Sequence, residues 1–140
     1  MSDSPQMLID QLLFPIVEVR TNGKHDQQGN LSGTQLKYGH QVQKLDNQPG
    51  KYALILQVRS DNENSVNPPY DFIIEAYAIF IINGGTDEGD ANSRLVLHNG
   101  LPIVMGAIRE RVADVTSRAP WGRFLINSVG LPEGVQIHHM

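Results

Sequence analysis

Residues 70–82 read YDFIIEAYAIFII, thirteen residues in which both registers of a strand are apolar. A sheet with one solvated face alternates apolar and polar residues. Here Phe72, Ile74, Ala76, Ala78, Phe80 and Ile82 point one way, and Ile73, Glu75, Tyr77, Ile79 and Ile81 point the other. Each face therefore needs a cover. The first set suits a helix from the same chain, and the second suits a partner.

Working outward, period-two alternation recurs upstream. Thr34 to Lys44 places Leu36, Tyr38, His40 and Val42 on one face and Gln35, Lys37, Gln41 and Gln43 on the other. Asp46 to Gly50 contains Asn, Pro and Gly and reads as a turn. Lys51 to Arg59 follows as a strand, with Tyr52, Leu54, Leu56 and Val58 on its core side. Leu12 to Thr21 reads as the first strand after a helical turn or two over Met7 to Leu13, with Pro15 marking an edge or a bulge. Asn22 to Gly33 reads as a polar, loosely held excursion.

Downstream of Asn83-Gly84-Gly85 and an acidic loop to Asn92, the period changes. Val104, Ile108, Val112 and Val115, with Leu101 upstream, form one apolar stripe and predict an amphipathic helix from about Pro102 to Ser117. Pro102 suits a first helical turn and Pro120 a stop. An elbow, Arg118 to Gly122, then leads into an extended piece over Arg123 to Val129, and Trp121 is expected at the seam between sheet and helix. Gly130, Pro132 and Gly134 argue against a further helix toward Met140. The fold class is α+β: a four-stranded antiparallel meander sheet packed against one main helix. It forms a single domain, residues 1–140, with its core over about 12–131.

Composition narrows the function. The 140 residues are 40% hydrophobic and 19% charged, with a net charge of −4, which favours a folded domain and disfavours a nucleic-acid backbone as partner. No cysteine is present, so disulfides and thiolate metal sites are excluded. The five histidines, including the terminal pair His138 and His139, lack zinc-site spacing, and no phosphate loop, dinucleotide fingerprint or nucleophile elbow occurs. Glu75 is a carboxylate inside an apolar strand, but no second catalytic group accompanies it in the pattern. Arg109, Glu110 and Arg111 read as a solvated helix face. The expectation is a non-enzyme that needs no cofactor and no metal. No signal sequence or membrane-length apolar run is evident, so a cytoplasmic location is expected.

Two stretches resemble the SecB-type protein-export chaperones. Phe72-Ile73-Ile74-Glu75 is similar to that family's Phe-Leu-Cys-Glu strand. Ile108-Arg109-Glu110 through Thr116-Ser117-Arg118-Ala119-Pro120-Trp121-Gly122-Arg123-Phe124 resembles its helix and elbow. The resemblance implies an ATP-independent chaperone for unfolded or extended polypeptides, with a role in protein export. Its clients would lie in apolar grooves bordered by Trp121, Phe124 and Ile126. Ile73 and Glu75, with Tyr77 and Ile79, would form the outward sheet face that meets partners. The implied partners are unfolded clients, the translocation ATPase or the antitoxin of a toxin–antitoxin pair, and further copies of the chain in a dimer or homotetramer. Family members typically continue into a second, longer helix and often a zinc-binding tail, patterns not seen in this sequence. Glu18 is the nearest counterpart of their first-strand acids. The residues alone leave two alternatives open: a structural protein whose apolar face merely forms a homo-oligomer, and a small-molecule binder with a pocket reaching Glu75.

Overall fold

The structure, a computed structural model, describes residues 6–84 and 90–126. Four strands precede one helix: β1 (Gln6–Thr21), β2 (Leu36–Lys44), β3 (Lys51–Ser60), β4 (Tyr70–Asn83) and α1 (Ala91–Thr116). The α+β class expected from the two periodicities is what the chain adopts. The tail beyond Ile126, with the extended piece past that point and the terminal histidines, lies outside the described residues, as do residues 85–89.

All strand pairings are antiparallel and the order is β1-β4-β3-β2. The expected meander is present in β2, β3 and β4, while β1 lies beside β4 to complete a Greek-key order. The reason lies in residues 70–82: a strand apolar on both faces is best placed in the interior of the sheet, and β1 shields its second edge. Register along β1 shifts between Ile9 and Gln11 and again between Leu13 and Ile16. Pro15 sits in the second irregularity of this edge strand, where its missing N–H costs no ladder bond. Met7 to Leu13 is strand rather than the expected helical turn, because its residues pair with Tyr77 to Ile82.

The β2–β3 turn passes close under the end of β4. Gly50 has φ of 77°, its carbonyl accepts the Ile82 N–H at 2.7 Å, and an added Cβ would lie 2.9 Å from the Ile82 carbonyl oxygen. A side chain is excluded by both conformation and space.

The core lies between the sheet and α1. Phe72, Ile74, Ala76, Ala78, Phe80 and Ile82 of β4 are buried there with Tyr52, Leu54, Leu56 and Val58 of β3. The helix contributes Val96, Leu101, Val104, Met105, Ile108 and Val112. α1 begins eleven residues before the expected Pro102, so Pro102 sits inside it. Pro102 and His98, four residues earlier, are both exposed, so water can solvate the carbonyl that proline leaves without a donor. Val115, assigned to the apolar stripe from its spacing, is on the exposed side; buried Thr116 takes that place at the helix end. Gly100 lets the helix approach the sheet, since a Cβ there would lie 3.0 Å from the Phe80 ring and 3.2 Å from Leu54. Replacing Gly100 by Val is expected to overpack this contact and cost about 1–3 kcal/mol, read from the urea midpoint.

The excursion over residues 22–33 is tied down, contrary to the expectation of loose attachment. Asn67 is the hub: its side chain accepts the Asp26 N–H at 2.7 Å and donates to the carbonyls of Asp26 and Asn30. His25 Nδ1 lies 2.9 Å from the Asn67 carbonyl, and Asn22 bonds Pro68 and Pro69. Asparagine side chains thus supply the partners that a strand ladder would otherwise provide.

Candidate functional site

The seven residues singled out from the sequence fall into two groups on opposite sides of the sheet. Ile73, Glu75, Tyr77 and Ile79 all point away from α1 and are half-buried by their strand neighbours alone. Register fixes those neighbours: Tyr77 lies between Ile55 and Leu13, Ile79 between Ala53 and Gln11, and Glu75 between Gln57 and Ile16. Leu8 opposes Ile81 on the same face. The result is an apolar band crossing β1, β4 and β3, bordered by Gln41 and Gln43 of β2. Leu8 and Leu13 are 53% and 52% exposed, so the band is left open by the described residues. Glu75 accepts a long hydrogen bond from the Gln57 amide, 3.4 Å, which is the setting of a surface carboxylate.

Trp121, Phe124 and Ile126 lie on the other side, in the segment that returns along α1 after the elbow. Four hydrogen bonds fix its path. Trp121 Nε1 donates to the Asn22 carbonyl at 2.9 Å, and the Trp121 N–H donates to the Tyr70 hydroxyl at 3.0 Å. The Phe124 N–H donates to Thr116 Oγ1 at 2.7 Å, and Arg109 Nε donates to the Ile126 carbonyl at 2.8 Å. Ile126 is buried beneath the segment, Phe124 packs its ring 5.6 Å from that of Phe72, and Trp121 rests 5.3 Å from the His25 ring. Trp121 therefore clamps the elbow to the 22–33 loop rather than simply filling the sheet–helix seam.

Between this segment, the 22–35 loop and β2 runs an open groove of about 600 Å³. Leu36 and Tyr38 of β2, Tyr70, Phe124 and Ile126 line it, together with the exposed Leu31 of the loop and Leu125. Leu31 is 65% exposed and Leu125 56%, so the groove has an apolar rim left open by the described residues. A second groove of about 460 Å³ opens between β1 and α1, lined by Leu12, Phe14, Ala107 and Ala113 with Glu110, Arg111 and Asp114. Arg111 lies over the Phe14 ring, 4.7 Å from its centroid. Sequence reasoning missed Leu31, Tyr38 and both β1 residues. Leu31 carried a legible signal, a lone large apolar residue inside a polar loop; the others read only as strand positions.

Tyr70 is the keystone of the groove floor. Its hydroxyl donates to the Gly122 carbonyl at 2.7 Å while accepting from Trp121, and the residue is buried. Burial pushes its phenol above the ordinary 10.0, partly offset by the Trp121 N–H; burial raises Tyr38 as well. Because the folded pKa is raised, the neutral form is favoured by folding: the contribution is intact below pH 10 and is lost as pH rises above it. Tyr70→Phe leaves a backbone N–H and a carbonyl without their partner. It is expected to cost about 1–3 kcal/mol at neutral pH and to remove part of the alkaline loss of stability, checked by denaturation at pH 7 and above pH 10.

Among the described residues no group of three or more His, Asp or Glu converges as a metal site, and no helix is long and apolar enough to cross a membrane.

The fold is that of a solved chaperone. The Mycobacterium tuberculosis SecB-like chaperone Rv1957, in complex with a ChAD peptide from the Rv1956 HigA1 antitoxin, superposes with a TM-score of 0.67. The match covers 90% of this chain and 92% of that one at 15% identity. A protein of unknown function from Streptococcus agalactiae matches with a TM-score of 0.49 at 10% identity, covering 89% and 99% of the two chains. No family model matches the sequence, and no curated protein matches it. The resemblance carried by residues 72–75 and 108–124 therefore holds at the level of the fold.

Proposed function

We propose that this protein is an ATP-independent chaperone that holds extended, apolar segments of unfolded polypeptides in the groove beside Trp121. The observation that carries the proposal is the exposed apolar rim of Leu31 and Leu125 over an aromatic-lined groove, on the fold of a SecB-like chaperone solved in complex with a peptide. Apolar side chains of a client would gain about 25 cal/mol per Å² buried. β2 is an edge strand of the sheet among the described residues, and such an edge beside the groove suits backbone hydrogen bonds that do not depend on client sequence. Export precursors or an antitoxin are the client classes this reading favours, with the translocation ATPase as a recipient. The expected result is suppression of aggregation of an unfolded client at stoichiometric ratio without nucleotide, with retention of that client in native mass measurement. Failure to retain any unfolded client would end this reading.

The outer band supports a second role alongside the first, as the contact between copies of the chain in a dimer or tetramer. Tyr77 and Ile79 lie at its centre, flanked by exposed Leu13 and half-buried Ile55. Ile79→Glu would place a carboxylate in that contact and is expected to shift the protein toward monomer in analytical ultracentrifugation, while the groove on the other side keeps its lining. An unchanged mass would assign the band to another partner.

A further inference from the structure

The two grooves meet at one side chain. Among the described residues Arg123 alone lines both, and it is exposed. It forms no ion pair among the described residues, although Glu110 and Asp114 share the second groove with it. Among the described residues that line the first groove it alone is permanently charged, the others being apolar, aromatic or neutral apart from His25. On each side of it lie apolar contacts: Leu31, Phe124 and Leu125 in one groove, and Leu12 and Phe14 in the other. A guanidinium between two apolar linings matches a carboxylate flanked by two apolar side chains.

From this juxtaposition we infer that the two grooves bind one continuous extended segment, and that Arg123 selects segments carrying a single Asp or Glu between two apolar anchors. The inference rests on the chaperone reading and specifies its client. The carboxylate belongs on the Arg123 side of the crossing, because in the β1–α1 groove Arg111 lies over Phe14 and is offset by Glu110 and Asp114. Polypeptide segments of apolar–acidic–apolar pattern are thus preferred over purely apolar ones of equal length.

The test uses three synthetic peptides of one sequence, with two apolar anchors flanking a central Glu, Gln or Lys, titrated into the full chain by calorimetry at low and high salt. The Glu peptide is expected to bind about fivefold more tightly than the Gln peptide at low salt. That ratio should shrink as salt is raised, because the pair is exposed. Arg123→Gln should bring the Glu-to-Gln ratio to about one, and Arg123→Lys should leave an intermediate ratio. Equal affinities for the Glu and Gln peptides in the unmodified protein, or a preference for Lys, overturn the inference while leaving the chaperone reading standing. Binding of none of the three, combined with no retention of unfolded clients, overturns both.

Discussion

Phe80→Ala is expected to cost about 3–5 kcal/mol of folding stability, a large share of the 5–15 kcal/mol typical of a whole domain. Phe80 is fully buried in the C-terminal half of β4, opposite Tyr52 of β3, and its ring lies against Gly100 of α1. The substitution removes most of the buried ring, and the cavity cannot collapse readily. Gly100 has no side chain that could turn into the space, and the sheet is fixed by ladders to both β1 and β3. A urea titration should show a much lower midpoint with an unchanged slope. A loss under 1 kcal/mol would mean that the helix does not pack on β4 as described.

The second large effect is expected at Trp121. Trp121→Ala deletes the ring packed on His25 and the hydrogen bond to the Asn22 carbonyl, the two contacts that hold the elbow to the 22–33 loop. A loss of about 3 kcal/mol is expected, at the low end for a tryptophan because the ring is only half-buried. Client affinity is expected to fall by tenfold or more, since one wall of the groove is released. Trp121→Phe keeps an aromatic ring against His25 but not the Nε1 donor, so it should recover part of both losses. Protection of amide hydrogens over residues 22–33 checks the mechanism: it should fall in the alanine variant and return partly with phenylalanine. Unchanged protection would show that the Asn67 hub alone secures the loop.

How legible these features were differed by element. Tyr70 to Ile82 announced a central strand because alternation is a local property, and both of its faces could be sorted by register without knowing what covered them. The β2–β3 turn was equally local, carried by Asn47, Pro49 and Gly50. The start of the helix was not legible. His98-Asn99-Gly100-Leu101-Pro102 reads as the approach to a helix, with proline in its first turn. In the fold Gly100 is required by contact with Phe80 and Leu54, and Pro102 is tolerated on an exposed face. Both residues oppose helix formation locally and are overruled by packing. Val115 and Thr116 show the same limit at the other end. The apolar spacing pointed to Val115, but Thr116 is the buried one, donating to Val112 and accepting from Phe124.

The candidate site was half legible. Ile73, Glu75, Tyr77 and Ile79 stand together on the outer face as the period-two pattern required, and Trp121, Phe124 and Ile126 gather on the helix side of the sheet. Their division into two surfaces was already implied by the resemblance, but the extent of the outer band needed the register of β1 on β4, and pairings between residues some sixty positions apart have no signature in a local pattern. Arg123 illustrates the difference best. In the sequence it is one basic residue after an elbow; in the fold it is the side chain on which two grooves converge.

The sequence by itself determined the periodicities, and with them a two-faced strand, an antiparallel sheet and one amphipathic helix, because side-chain direction follows from backbone geometry within a few residues. Tertiary structure alone decided that β1 closes the far edge of β4, that Asn67 and Trp121 pin the long loop, and that the grooves meet at Arg123. Each of these depends on contacts between segments far apart in the chain, where loop closure and packing, not local preference, select the partner.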